Sequence, residues 1–266
     1  MSRTIAVANA KGGTGKTTVS VNLSACLAIK HNKKVLGIDL DAQGNFGIAL
    51  GIDPRRINHT TFHLLTSDNP KIQDYIIPVN ENFDLIPNAL SIELENKLES
   101  SHNRESLLKL RLKHIKNKYD YVIIDTPPAM RTSTMNAIVA ADEVIVVVDC
   151  GYFALYGLVD LMQQIAKAQD AYEKDNLVIH GLLNLYNKSQ NLDRDMKKEV
   201  SEFFGPLMLE SVIHKNVRLV EATSAHQPII IYDRSASGSF DFIKLSKELL
   251  DDYEPQQEAR VTAQVK

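Results

Sequence analysis

Ala10-Lys11-Gly12-Gly13-Thr14-Gly15-Lys16-Thr17-Thr18 stands directly after a short apolar run, Thr4 to Ala8. A segment of helical period follows at once, with Val19, Leu23 and Leu27 on one face. A strand, a glycine-rich turn and a helix start in that order build an anion site. The free N–H groups of the first helical turn point into the loop, and the helix dipole favours negative charge there. Glycines let the main chain wrap a phosphate closely, Lys16 supplies a point charge for the outer phosphates of a nucleotide, and the Thr17 hydroxyl suits Mg²⁺. Gly12, Gly13, Thr14, Gly15, Lys16, Thr17 and Thr18 are therefore the candidate nucleotide-binding residues. The strict pattern GxxxxGK[ST] requires glycine at position 10, where this chain has Ala10, so the loop is a variant.

Outward from that loop, β-branched runs alternate with longer helical patterns, the signature of βαβ units and a mostly parallel sheet. Strands are predicted at Thr4 to Ala8, Lys34 to Asp39, Phe83 to Ile86, Tyr121 to Asp125, Glu143 to Asp149, Val178 to Leu185, Met208 to Ile213 and Ile229 to Tyr232. Val122-Ile123-Ile124 and Val144-Ile145-Val146-Val147-Val148 are apolar without alternation, as strands covered on both faces by helices are. Helices are predicted at Lys16 to Lys30, Arg104 to Lys118, Thr132 to Ala140, Ala154 to Tyr172, Asp193 to Phe204 and Ser239 to Tyr253. The expected fold is α/β, a twisted and mostly parallel sheet with helices on both faces. One domain is expected over residues 1–253, followed by a polar, disordered tail over 254–266.

Composition narrows the function. The 266 residues are 44% hydrophobic and 24% charged, as in an ordinary globule, and no apolar run reaches the ~18 to 20 residues of a membrane-spanning helix. A cytoplasmic protein without membrane contact is expected. Its two cysteines, Cys26 and Cys150, show neither a CxxC nor a repeated spacing and read as buried thiols. A net charge of −3 confines any nucleic-acid contact to a local patch, and 6% aromatics without tryptophan disfavour a base-stacking groove.

Two strand ends carry acids: Asp39-Leu40-Asp41-Ala42-Gln43-Gly44-Asn45 and Asp125-Thr126-Pro127-Pro128. In an open parallel sheet the ligand lies beyond the carboxyl ends of the strands, so these acids converge on the glycine loop. Asp125 is suited to hold Mg²⁺ through a water. Asp41 is the candidate for orienting an attacking water, and Asp39 for supporting the loop and the metal shell. Helix or turn caps are the alternative role for Asp39, Asp41 and Asp125.

Lys11-Gly12-Gly13-Thr14-Gly15-Lys16-Thr17-Thr18 resembles the deviant phosphate loop of the ParA/MinD family of ATPases, whose distinguishing feature is an extra lysine, here Lys11. DLDAQGN at 39–45 is similar to DLDPQGN in ParA proteins, with Ala42 in place of proline, and YDYVIIDTPP resembles their metal-binding strand. The stretches 147–158 and 213–222 also resemble the family, so the likeness runs from about residue 3 to about residue 250. It is strongest toward the chromosomal, Soj-like branch. The resemblance implies ATP and Mg²⁺ as ligands and a homodimer closed over two ATP molecules. Lys11 would reach the partner's phosphates, acting with Lys16 and Asp41 in hydrolysis. It further implies non-specific binding to double-stranded DNA and an activating partner similar to ParB, with the ATP-bound form on the nucleoid.

Arg218 matches a DNA-contacting position of that branch, while the position of another such arginine falls near Ser189. Lys188, Arg194, Lys197, Lys198, Lys215 and Arg218 can together form a patch that releases counterions from a duplex. The alternative is the wet face of mixed-charge helices. Lys109, Arg111, Lys113, Lys116 and Lys118 form a second basic run, read as surface decoration. His59 and His63 stand four apart without an evident third metal ligand. His214 stands where proline is usual in the family.

Two other functions share the scaffold. A MinD-like membrane-cycling ATPase needs a C-terminal amphipathic anchor, whereas residues 251–261 are acidic, interrupted by Pro255 and lack an apolar face. A metabolic enzyme, either an iron–sulfur reductase or an ATP-dependent ligase, is the third reading; the reductase lacks spaced cysteine ligands. The first strand starts almost at Met1, so an N-terminal helix-turn-helix and sequence-specific autorepression are not expected.

Overall fold

The structure is a computed structural model that describes residues 2–151 and 154–251. The chain runs β1 (Arg3–Ala8), α1 (Lys16–His31), β2 (Val35–Asp39), α2 (Asn45–Ala49), α3 (Thr61–Thr66), β3 (Ile77–Asn80), β4 (Phe83–Ile86), α4 (Ile92–Ser100) and α5 (Leu107–Leu112). It continues through β5 (Tyr121–Asp125), α6 (Thr132–Ala140), β6 (Glu143–Asp149), α7 (Ala154–Tyr172), β7 (Val178–Tyr186), α8 (Asn191–Phe204), β8 (Met208–His214), α9 (Val217–Ser224), α10 (Ile229–Tyr232) and α11 (Ser237–Asp251).

The strands form one sheet in the order β3-β4-β2-β5-β1-β6-β7-β8, parallel throughout except for β3 against β4. β1 lies between β5 and β6. From β1 the chain first builds outward through β2 to β3, returns to insert β5, then builds the other way from β6. The carboxyl end of β1 is therefore the switch point at which a crevice opens, and it is where the glycine loop sits.

The unbroken apolar runs fold as double-sided strands because each face meets its own helical layer. Ile5, Val7, Ile123, Ile145 and Val147 pack against α1 and α11 through Val19, Leu23, Leu27, Phe242 and Leu245. Ala6, Leu36, Ile38, Ile124 and Val146 pack on the opposite face against α3 and α5 to α8, through Phe62, Leu108, Ile138, Leu161 and Val200. Each such side chain taken fully from water contributes roughly 1.5–3 kcal/mol, and losing a strand end loses several at once. That rigidity holds Asp39 and Asp125 in register on adjacent strands.

Two expectations need correction, and β3 and α9 are elements the sequence reading did not draw. Ile229–Tyr232 is one helical turn, α10, not a strand; four consecutive apolar residues fit either state, and Pro228 stands at its N-cap. β3 carries Pro78, which lacks an N–H and argues against a strand, but the edge position of β3 tolerates it. The helix expected over Arg104 to Lys118 shortens to α5 and one 3₁₀ turn at Lys116–Lys118. Val217–Ser224 is helix α9, capped by the Asn216 side chain accepting from the Arg218 N–H. The tail expected over 254–266, together with Tyr152, Phe153 and Tyr253, lies outside the described residues.

Candidate functional site

The glycine loop is fixed from three sides. Gly15 enters α1 with φ +86°, a conformation glycine adopts without penalty, and a Cβ there would fall 2.3 Å from Asn184 Nδ2. That amide, on β7, donates to the Thr14 carbonyl at 2.6 Å. The Asn9 side chain accepts from the Lys11 N–H at 2.8 Å, and Thr126 Oγ1 donates to the Val7 carbonyl at 2.9 Å. Lys16 is buried, and its Nζ donates back across the loop to the Lys11 carbonyl at 3.2 Å. Burial lowers the Lys16 pKa, opposed by the charges of Asp125 and Asp41. Thr14 Oγ1 is buried without a hydrogen-bond partner, an orphan group beside the loop.

Asp125, at the end of β5, accepts from Thr17 Oγ1 at 2.7 Å and from Ser20 Oγ at 2.8 Å. It is fully buried, which pushes its pKa up to about 6 even though Thr17, Ser20 and Lys16 pull it down. Asp39, also fully buried, is raised well above the usual carboxylate range by burial and then by the charge of Asp125. Its two oxygens accept from the backbone N–H groups of Asp41 and Phe46, each at 3.0 Å. Asp39 thus organises the turn between β2 and α2, whereas Thr17 and Asp125 are the oxygen pair that faces the loop. Two hard oxygen donors in contact, in a pocket that disfavours uncompensated negative charge, fit a magnesium ion. Asp41 is half-buried, and its Oδ1 accepts from the Gln43 N–H at 3.0 Å.

Lys11 does not fold into its own loop. Its Nζ reaches sideways to Asp149 Oδ2 at 2.7 Å, with the lysine side chain 43% exposed. Gly151 packs against this pair, since a Cβ there would stand 3.1 Å from both charged atoms. Asp149 Oδ1 is buried and unpartnered, so the carboxylate is committed through one oxygen alone.

Asn184, Ser20, Asn9 and Asp149 escaped the sequence reading as site residues. A polar residue in the second half of β7, set between Leu183 and Leu185, was the available signal for Asn184; nothing local marks the others. Of the basic residues, Lys188 and Lys215 flank the carboxyl ends of β7 and β8, where the Lys215 N–H donates to the Tyr186 carbonyl at 3.0 Å. Lys197 on α8 lies 5.6 Å from the centre of the Tyr186 ring. These three and Arg194, Lys198 and Arg218 are all exposed. Arg194 donates to Asn191, and Lys198 stands 3.9 Å from Glu202. Arg218 is clamped by Glu221 at 2.8 Å and Asp233 at 3.6 Å. His63 closes a capping box with Thr60, and no group of three or more metal-ligating residues occurs among the described residues. His214 is held by Asp241 at 3.1 Å. No helix among the described residues is long and apolar enough to cross a membrane.

A buried lysine in a glycine turn at the switch point, with a threonine and a strand-end carboxylate in contact beside it, defines a phosphate-loop nucleotide-binding protein. Comparison with known proteins narrows the class. The family model described as an AAA domain matches residues 2–179. The chain is 38% identical over 250 residues to the sporulation initiation inhibitor protein Soj of Bacillus subtilis, covering 94% of this chain and 98% of that protein. It is 35% identical over 252 residues to the chromosome partitioning protein ParA of Myxococcus xanthus, covering 93% and 88%. Among solved structures, cobyrinic acid a,c-diamide synthase from Mycobacterium smegmatis with bound ADP and magnesium superposes with a TM-score of 0.82 at 27% identity, covering 96% of both chains. The chain belongs to the AAA-domain family and, within it, to the ParA/MinD ATPases on the Soj-like side.

Proposed function

We propose that this ATPase is an ATP-dependent dimerising switch that holds double-stranded DNA without reading sequence and partitions a DNA-borne cargo. The observation that carries this reading is Lys11. A second lysine stands at the phosphate loop, yet it points out of the loop to the molecular surface, where a partner subunit's phosphates can be reached. The 35% identity to a chromosome partitioning protein, over nearly the whole chain, favours partition above the chemistry of the 27% identical synthase.

In this reading the N–H groups of Gly13 to Thr17 and the Lys16 ammonium hold the ATP phosphates, with Gly12 allowing close approach of the partner. Thr17 directly, and Asp125 through a water, would hold magnesium, which neutralises charge on the phosphates when bound. Asp41 orients the attacking water, and Asp39 fixes the turn that carries Asp41. Lys11 exchanges Asp149 for the partner's phosphates and stabilises charge there as an arginine finger does. ATP closes the dimer by binding it more tightly than the open subunit. Closure doubles the patch of Lys188, Arg194, Lys197, Lys198, Lys215 and Arg218 and steepens its salt dependence. A ParB-like partner on the cargo speeds hydrolysis and release, so that the ATP form resides on the nucleoid.

Duplex-DNA retention measured with ATP, with ADP and with Lys11→Ala across a salt series tests this. Retention is expected with ATP and the unaltered chain, falling steeply with salt. Retention independent of ATP, or none under any condition, refutes the proposal.

A further inference from the structure

Two hydroxyls on one face of α1 grip the two oxygens of a single carboxylate. Positions three apart on a helix share a face, and here that face turns Thr17 and Ser20 toward the end of β5. Thr17 Oγ1 donates to Asp125 Oδ2 at 2.7 Å, and Ser20 Oγ donates to Asp125 Oδ1 at 2.8 Å. Thr17 already belongs to the proposed magnesium site. Ser20 lies almost one turn deeper and is fully buried, out of reach of a bound nucleotide.

We propose that Ser20 is a positioning residue of the ATPase, holding Asp125 in the orientation that magnesium requires. Resting on the assignment of Thr17 and Asp125 to that ion, this role needs neither dimer closure nor DNA binding.

The Ser20 hydroxyl has one hydrogen and two acceptors within reach, Asp125 Oδ1 at 2.8 Å and the Lys16 carbonyl at 3.1 Å. A serine inside a helix can bond back to the carbonyl four residues earlier, but that carbonyl already serves the helix ladder. A buried carboxylate oxygen has more to lose from standing bare. The shorter contact and the charge therefore commit the hydrogen to Asp125. Two neighbours would otherwise displace the carboxylate. Asp39 stands in register with it on the adjacent strand and repels it, while Lys16 is near enough for its ammonium to feel the Asp125 charge. Lys16 and Asp125 nevertheless form no ion pair among the described residues: the ammonium donates to the Lys11 carbonyl, and each Asp125 oxygen is taken by a hydroxyl. Ser20 thus keeps Asp125 off Lys16, so that the cation stays available for phosphate and Asp125 Oδ2 stays beside Thr17 for the ion.

The test uses the full chain carrying one equivalent of ADP and titrates manganese(II), whose free-ion electron spin resonance signal falls as it binds in place of magnesium. Affinity for ADP in excess EDTA is measured alongside. Ser20→Ala puts a good helix former in the same place, and it should weaken manganese about tenfold while metal-free ADP affinity stays within about twofold. Ser24→Ala removes the hydroxyl of the next buried serine on α1, which has no hydrogen-bond partner, and should change neither value. Asp125→Asn tests the underlying assignment and should weaken manganese at least as much as Ser20→Ala. Manganese lost in Asp125→Asn but kept in Ser20→Ala overturns the role of Ser20 alone. Manganese kept in Asp125→Asn overturns the metal assignment and the proposal with it. Equal losses of manganese and of metal-free ADP in Ser20→Ala, or a Ser24→Ala chain as impaired as Ser20→Ala, show that the hydroxyl only packs the helix and also overturn the proposal.

Discussion

Asp149→Asn should make the protein dimerise more readily with ATP, because in the single subunit Asp149 competes for Lys11. The pair spans 2.7 Å, with side-chain exposures of 43% for Lys11 and 17% for Asp149, so solvent screens it substantially. Exposed ion pairs contribute about 0.2–1 kcal/mol, and half-exposure places this one within that range rather than among buried pairs. In the proposed dimer two subunits each release one pair, so it gains about 0.4–2 kcal/mol when the competitor is removed. That is about a 2- to 30-fold tighter dimer dissociation constant. Asparagine preserves the shape beside Gly151, whose packing leaves little room there, and the unfolding midpoint should move by less than about 4 °C. Sedimentation equilibrium with a slowly hydrolysed ATP analogue and magnesium measures the constant directly. An unchanged or weaker dimer, in a variant that melts normally, would refute the view that Lys11 is held in reserve by its own subunit.

Other consequences are equally open to measurement. In the ligand-free protein Asp125 has its pKa raised to about 6, above the unfolded carboxylate value, so its contribution to stability is complete at low pH. That contribution is lost as pH rises from about 4 through about 6. Thermal melts of the ligand-free chain should show this fall and Asp125→Asn should lessen it, the buried Asp39 contributing the rest in the same direction, whereas magnesium, which needs the ionised carboxylate, should bind more weakly below about pH 6. Gly15→Ala forces a Cβ to within 2.3 Å of Asn184 Nδ2 at φ +86°, so it should cost about 1–3 kcal/mol in denaturant unfolding and abolish nucleotide binding; a variant that binds normally would show that the loop is softer than described. At the basic patch, Lys215→Ala should lower the slope of log affinity for duplex against log salt by about 1, and Glu221→Gln, which opens the 2.8 Å clamp on Arg218, should tighten retention at low salt. If Glu221→Gln weakens retention, the clamp orients Arg218 for DNA instead of withholding it.

What could be read from the sequence, and what could not, follows from the range of the interactions involved. β1, β2, β5 and β6 were legible because a strand buried on both faces is apolar through its middle, with polar residues left to its ends, and local composition records that. The phosphate loop was legible for a similar reason: glycine, lysine and threonine at Gly15, Lys16 and Thr17 perform their chemistry within one turn of chain. Ile229–Tyr232 misled because a short apolar run carries no period. Its helical turn depends on a distant group, the Asn22 side chain accepting from the Ile229 N–H at 2.7 Å. The same limit governs the site. Topology sets Asp39 and Asp125 side by side at the ends of adjacent strands, yet the partners each takes depend on which atoms the fold brings to it: two backbone amides for Asp39, two hydroxyls for Asp125. Asn184 and Asp149 lie 170 and 138 residues from the groups they hold. Neither role can be written in local pattern, because both arise when β6 and β7 are laid beside β1. The conformational reserve attributed to Lys11 is therefore a property of strand order: the sheet that creates the crevice for phosphate also brings the carboxylate that holds the second lysine away from it.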